Sequence, residues 1–357
     1  MKPKSLDLSK ITVKNFFPEK ASRQIWMQYH QLNEKLLFEA YPEEKFPKRA
    51  FTEKELTFEQ SDYNIYRWLV YKDDSKCKLI GICSFGNCKE HSPLYDKNKE
   101  IGFADLYIDS DFRRQGLGTK LLKKIAFKLK EMKCKYFKAS TPYPSGKIFC
   151  EKYGAKLTNI KVKSRLPLKN VDWELVNVWI KDGKKRNSGV TIESYFGASE
   201  RKMKEHCELM TELESEAPIL ENSDETFQEI YTPQRYREFE QYLKERKFTL
   251  YTLRSIEPTG KISGLTEIFF SRENRPEQIN TGLTGVKSRF RGRGLGKWLK
   301  AQMLHYIKDN LPRARYLITG NAEHNKPILS INYRLGFTPY ARVNHFKLTI
   351  DKLLELL

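Results

Sequence analysis

Arg291-Gly292-Arg293-Gly294-Leu295-Gly296, continuing into Lys297-Trp298-Leu299-Lys300 and an amphipathic run to Ile307, is the stretch from which the fold can be read. The β-prone segment Thr284-Gly285-Val286 precedes it, so the glycines mark a turn from strand to helix. Glycine lets a backbone crowd its ligand, and the N–H groups of the turn and helix start carry positive potential. Such a turn suits a phosphate or pyrophosphate. The same pattern stands upstream as Arg113-Arg114-Gln115-Gly116-Leu117-Gly118, after Leu106-Tyr107-Ile108 and before another basic, leucine-rich run.

Outward from these turns the element order repeats. Ahead of the first turn the patterning predicts a strand at 11–13, a helix over 20–38 broken by Pro42 and Pro47, and a short helix over 51–60 capped by Thr52. A hairpin of strands 66–71 and 79–85 follows, turning at 72–75, then a polar loop at 87–99 and a strand at 101–108. After the turn come a helix to about Met132, a strand at 136–140, a helix at 144–153 stopped by Gly154, and strands at 156–163 and 173–180. Residues 181–189 read as a linker. Beyond it, a strand (190–196), a helix (199–213), a break at Pro218, a helix (233–244), a hairpin (250–253 and 262–270) and a strand (279–286) lead to the second turn. Its helix, a strand at 315–319 and a helix ending in Leu335-Gly336-Phe337 complete the repeat. An internal duplication is the economical account. It divides the chain into 1–185 and 186–357.

At 357 residues the chain has the length of two domains, and 39% hydrophobic with 13% aromatic content excludes a disordered chain. No apolar run of about 18 residues is present, so a cytoplasmic protein with no membrane partner is expected. The formal charge of +20 favours anionic partners, and nucleic acid stays open among them. Six cysteines follow no secreted disulfide framework, and the histidines are scattered, so free thiols and no metal are expected.

The dinucleotide fingerprint needs Gly-x-Gly-x-x-Gly, and a phosphate-binding loop for nucleotide hydrolysis ends in Gly-Lys-Ser or Gly-Lys-Thr. Here Gly296-Lys297 is followed by Trp298, which has no hydroxyl for Mg²⁺. Both halves instead resemble the Gcn5-related N-acetyltransferase (GNAT) superfamily, whose hallmark is Arg/Gln-x-x-Gly-x-Gly/Ala between the fourth strand and third helix. That resemblance implies an α/β (α+β) architecture, a duplicated GNAT fold in which each copy is a mostly antiparallel mixed sheet flanked by helices. It also implies that the turn holds the pyrophosphate of acetyl-coenzyme A. Carried over, the cofactor-binding residues are Ile108, Arg113, Arg114, Gln115, Gly116, Leu117 and Gly118 in the first copy. In the second they are Val286, Arg291, Gly292, Arg293, Gly294, Leu295, Gly296 and Lys297, with backbone N–H groups near Val286 facing the thioester carbonyl.

The family's next motif is Asn-rich and ends in Gly-Phe. The second copy offers Asn321, Asn325 and Asn332-Tyr333-Arg334-Leu335-Gly336-Phe337, a pattern resembling the C-terminal domain of mycothiol-synthase-like tandem acetyltransferases. The first copy, Tyr143 to Ala155, lacks the asparagine and the closing phenylalanine, so its motif is degenerate. Asn321 and Asn325 are candidates for the pantetheine arm. The tyrosine that often protonates the leaving thiolate should stand four residues before the glycine, where this chain has Cys150 and Asn332. Tyr333, one residue off and about 100° around the helix, is a catalytic candidate that reaches the thiolate only if the local geometry is shifted. Amine acetylation needs a neutral amine held at the carbonyl, which makes Glu267 the candidate base of the second copy and Asp105 its counterpart in the first.

The function expected is direct acetyl transfer from acetyl-coenzyme A to a primary amine, on a small molecule, protein or peptide. The second copy is the catalytic one, and the protein is a monomer or homodimer. Transfer of another acyl or an aminoacyl group, and a non-catalytic coenzyme A-binding or nucleic-acid-associated regulatory role, are the alternatives.

Overall fold

A computed structural model describes residues 6–73, 77–216 and 229–357. In chain order the elements run β1 (Ile11–Asn15), α1 (Arg23–Ala40), α2 (Arg49–Thr57), β2 (Tyr63–Lys72), β3 (Lys78–Cys88), the one-turn α3 (Tyr95–Asn98), β4 (Ile101–Ile108), α4 (Leu117–Glu131), β5 (Tyr136–Thr141), α5 (Pro144–Lys152) and β6 (Lys156–Pro167). Then come α6 (Trp173–Arg186), β7 (Thr191–Phe196), α7 (Met203–Ser215), α8 (Pro233–Glu245), β8 (Thr249–Ile256), β9 (Ile262–Ser271), β10 (Arg275–Val286), α9 (Leu295–Asn310), β11 (Tyr316–Ala322), α10 (Lys326–Arg334), β12 (Thr338–Thr349) and α11 (Ile350–Leu356). The helices begin where the chain supplies caps. Ser22 Oγ accepts from Ile25 N–H at α1, Asp172 from Leu175 at α6, and Thr232 from Arg235 at α8, where Pro233 pre-sets the first turn.

The chain forms two compact units. The first runs to Ile160 and takes in Val343–Leu357; the second starts at Lys161 and ends at Arg342. In the first unit the strands lie in the order β1-β2-β3-β4-β5-β12, antiparallel throughout except for the β4–β5 pair. The second unit has β6-β11-β10-β9-β8-β7, with β10–β11 as its parallel pair. Each sheet is therefore closed by a strand remote from it in sequence. Residues Asn344 to Thr349 of β12 pair with β5, and Lys161 to Pro167 of β6 pair with β11.

Packing follows this exchange. Phe346, Leu348, Ile350 and Leu353 enter the first core beside Phe85, Leu121, Ile125 and Phe137. Leu166, Val171, Val176 and Trp179 enter the second beside Leu299, Met303, Ile307 and Phe337. The chain's contacts accordingly divide at 160/161 and 342/343.

Residues 173–189 correct the sequence reading. The strand at 173–180 and most of the linker after it are one helix, α6, capped by Asp172 and running to Arg186. Trp173, Val176, Ile180 and Gly183 recur at helical spacing, but the aromatic and β-branched content imitated a strand. Gly183 matters here: a Cβ at that position would lie 2.5 Å from Trp298 Cγ, so glycine allows α6 to close on α9. Two further differences are local. Thr52 lies inside α2 rather than capping it, and the expected loop at 87–99 contains α3. Pro218, and Asp74 and Ser75 of the expected hairpin turn, lie outside the described residues.

A cut at 185/186 would strip the second unit of β6 and α6 and the first of β12. Fragments 1–185 and 186–357 made separately should show no cooperative thermal transition and should regain one on mixing; two independently cooperative fragments would contradict the exchange. Within the intact chain, Phe346→Ala should cost about 3–5 kcal/mol in denaturant unfolding.

Candidate functional site

The turn of the second unit begins where β10 ends. Gly292 (φ +79°) and Gly294 (φ +82°) lie in the left-handed region, which glycine adopts without the steric cost an L side chain would meet. A Cβ built on either would meet nothing within 4 Å, so the space above the turn is open. Trp298 is the first residue of α9 whose N–H finds a turn acceptor, Gly294 O at 3.1 Å. The amides of Leu295, Gly296 and Lys297 are the donors that a helix start leaves without intrahelical partners. Donors in this arrangement suit an anion.

The turn's arginines brace it from behind. Arg291 Nε donates to Val286 O at 2.9 Å and its NH2 group pairs with Glu216. Arg293 donates to Asn187 Oδ1 at 2.9 Å and Glu257 Oε2 at 3.1 Å, while Asn187 Nδ2 donates back to Arg293 O. Lys297 Nζ lies 5.8 Å from the centre of the Trp179 ring.

Beside the turn the sheet opens. β10 and β11 pair over only three positions, the last Asn280 with Ile318, while β10 runs on to Val286 and β11 to Ala322. A register shift between Thr281 and Thr284 of β10 bulges it against β9, with Gly282 inside the bulge. Glu267 stands on β9 behind that bulge and is 3% exposed. Its Oε1 accepts from Tyr236 OH at 2.8 Å and Thr252 Oγ1 at 3.2 Å, with His206 Nε2 at 3.5 Å. Its Oε2 faces Gly282, 3.4 Å from where a Cβ would stand. Burial and the Glu267 charge hold the Tyr236 phenol far above its ordinary range, which keeps it a donor.

Sequence reasoning missed the partners on α7, α8 and β8. Both His206 ring nitrogens and the whole Arg254 guanidinium are buried with no hydrogen-bond partner among the described residues; the Arg254 guanidinium lies 4.7 Å from the centre of the Tyr195 ring. Nearby, Tyr231 and Glu214 are both pushed up, first by burial and then by neighbouring carboxylates, Glu229 among them. No motif marks these residues, because their proximity is made by packing.

On α10 the structure separates the neighbouring candidates. Asn332 is fully buried and donates from Nδ2 to Asn321 Oδ1 at 2.8 Å, so Asn321 ties α10 to β11. Asn325 caps α10, its Oδ1 3.5 Å from Ile328 N. Tyr333 is 47% exposed, on the outward side of the helix.

The first unit repeats the frame with its spaces filled. Arg113 mirrors Arg291, donating to Ile108 O at 2.8 Å and pairing with Glu39. Arg114, at φ +61°, stands in the left-handed conformation that Gly292 occupies in the second unit. Across the turn lies the chain's own beginning: Leu6 N donates to Gln115 Oε1 at 2.8 Å, Lys120 Nζ donates to Leu8 O at 2.7 Å, and a Cβ on Gly116 would lie 3.3 Å from Leu8 Cδ1. Leu117 is in the core, and Phe149 covers Gly118, 3.1 Å from a Cβ there, where Gly296 has Ile331 at 3.7 Å. Asp105 is half-buried on β4 and accepts from Ser84 Oγ at 3.4 Å. By register Ser84, on β3, is the residue that matches Glu267, so Asp105 lies one strand over from the expected correspondence. Burial raises its carboxyl above the ordinary range. Tyr107, two residues on, packs against Tyr143, whose hydroxyl donates to Leu36 O at 2.8 Å.

A pocket on the α9 face of the second sheet, lined by Thr266, Thr281, Leu317 and Phe337, contains Lys300. Burial pushes its amine down to about 8. The unfolded chain therefore binds that proton more tightly, and between about pH 8 and the ordinary lysine value of 10.5 this group's penalty on folding fades as pH rises. Lys300→Met should raise the unfolding free energy by about 2–3 kcal/mol at pH 7 and by less near pH 10.5. Denaturant melts at the two pH values check this; lower stability of the variant at pH 7 would contradict it.

The acetyltransferase (GNAT) family model matches residues 26–145 and 216–337, more than half of the chain. A comparison with curated protein sequences finds no match. Among solved structures, a tandem GNAT protein from the clavulanic acid biosynthesis pathway superposes with TM-score 0.70 at 20% identity, covering 95% of this chain and 98% of that one. A Gcn5-related N-acetyltransferase from Sphaerobacter thermophilus gives 0.65 at 14% identity, with 96% of each chain covered. Saccharomyces cerevisiae N-myristoyltransferase with bound myristoyl-CoA gives 0.55 at 14% identity, over 97% of this chain and 80% of that one. With both copies matched and the fold present twice, the chain belongs to the acetyltransferase (GNAT) family.

Proposed function

We propose that the protein is an acyl-coenzyme A-dependent N-acyltransferase, with acetyl as the simplest group moved and a primary amine as acceptor, and that its second unit is the catalytic one. The observation that carries this reading is the open glycine turn at 292–296 next to a splayed sheet, with the Glu267 carboxylate held behind the bulge of the same strand. The coenzyme supplies the activated thioester. The amides at the start of α9 suit its pyrophosphate, and the gap between β10 and β11 suits its pantetheine arm.

Glu267 takes a proton from the acceptor ammonium, directly or through one water, with Tyr236 and Thr252 fixing its orientation. The carboxylates Glu214, at the end of α7, and Glu229, ahead of α8, lie near each other and near Tyr231, and favour a cationic acceptor. Backbone N–H groups of β10 near Val286 stabilise the developing oxyanion. Asn332 is committed to Asn321 and has no acidic proton, and Tyr333 points outward, so the leaving thiolate takes its proton from water. In the first unit Leu6, Leu8 and Phe149 stand where a ligand would lie, which supports a structural role. A cytoplasmic location is part of this proposal.

Thiol release from acetyl-coenzyme A with a panel of primary amines tests the reading. Gly294→Glu and Gly116→Glu are matched probes, because both glycines stand at φ +82° and incur the same backbone strain. Gly294→Glu should abolish release and Gly116→Glu should retain most of it; the reverse pattern would overturn the assignment. Glu267→Gln should lower kcat by about 10²–10⁴-fold, most strongly at low pH where the amine is protonated.

A further inference from the structure

Lys300 is the one lysine among the described residues that is more than nine-tenths buried. Counted from the matched arginines Arg113 and Arg291, its counterpart in the first unit is Leu122, an ordinary core residue. The second unit thus places a cation where the same fold elsewhere uses leucine. Its amine has no hydrogen bond or ion pair among the described residues and lies 5.7 Å from the centre of the Phe337 ring. Leaving a charge buried and unpaired is costly, so the position calls for an anion from outside the chain.

The pocket's place indicates where that anion comes from. Thr281 and Leu317 line it, and they sit where β10 and β11 cease to pair; Thr281 Oγ1 bridges the two strands by donating to Ile318 O at 3.1 Å. The pocket is therefore at the closed end of the gap that, on the reading above, receives the pantetheine arm. A group carried beyond the thioester would project into it. Of the pocket's hydroxyls, Thr266 is engaged with Thr284 at 2.7 Å and Thr281 with Ile318 O, which leaves Lys300 as the group free to select a ligand.

We infer that Lys300 selects the acyl donor by receiving the terminal carboxylate of a short dicarboxylic acyl thioester, of the malonyl or succinyl kind. This rests on the second turn being the coenzyme A site. The amine remains largely protonated at neutral pH, its burial having lowered it only to about 8. A charge-assisted hydrogen bond in such a site separates a carboxylate-tipped acyl group from its neutral analogue by about ten- to a hundredfold in affinity.

Calorimetric titration of the full-length protein with coenzyme A, butyryl-coenzyme A and succinyl-coenzyme A tests this without requiring an acceptor. Succinyl-coenzyme A should bind at least about tenfold more tightly than the butyryl form, and Lys300→Met, which keeps an unbranched stem and removes the ammonium, should erase that ratio. Thermal unfolding of the variant establishes that it is folded. Equal affinity of the two thioesters, a ratio that survives in Lys300→Met, or an acyl mass covalently attached to Lys300 would overturn the inference while leaving the coenzyme site intact. Failure of coenzyme A itself to bind would overturn the reading of the turn, and with it the inference.

Discussion

The structure of the site depends on a backbone constraint: Gly294, at φ +82°, turns the chain so that the first amides of α9 face an open space and not the protein. In a basic protein side chains are the obvious anion ligands, but Arg291 and Arg293 are occupied by Glu216, Glu257 and Asn187. Their charges are neutralised in fixing the turn. On the proposed reading the anion falls to the oriented N–H groups and the helix start, which need no side-chain ordering when a ligand arrives. The formal charge of +20 is in this sense a poor guide to the site itself.

The two units share this frame and differ in what fills it. Arg113 and Arg291 make the same bond to the last carbonyl of the preceding strand, yet Leu6, Leu8 and Phe149 close the first turn. On the opposite side of the sheet, Ser84 stands where the second unit has Glu267, and tyrosines crowd Asp105. Exchange of β6 and β12 makes each unit's core depend on residues far away in sequence, so each unit contributes to the other's folding whatever it binds.

Much of this was legible. The glycine turns, the strand before each and the helix after each follow from local rules of backbone freedom and periodicity, and their doubling identified the repeated fold. What was not legible depends on tertiary packing. Residues 173–186 carry Trp, Val and Ile in a density that mimics a strand, which masks the helical recurrence of Trp173, Val176, Ile180 and Gly183 that packs against α9. The stretch Phe346-Lys347-Leu348 alternates as a strand should, but lies beyond the last repeat landmark, Gly336-Phe337, and so was not assigned. Glu267 stands out as a candidate by its place in a strand, whereas Tyr236, His206 and Arg254 come from separate elements that no spacing rule connects. The prominence given to Tyr333 came from its neighbour's motif position, and its exposure argues against a part in proton transfer.

The central claim is that one chain holds one coenzyme A, at the turn ahead of α9. Native mass spectrometry of the full-length protein titrated with coenzyme A measures this directly. The account predicts saturation at one ligand per chain; two ligands per chain, or one that persists in Gly294→Glu, would contradict it.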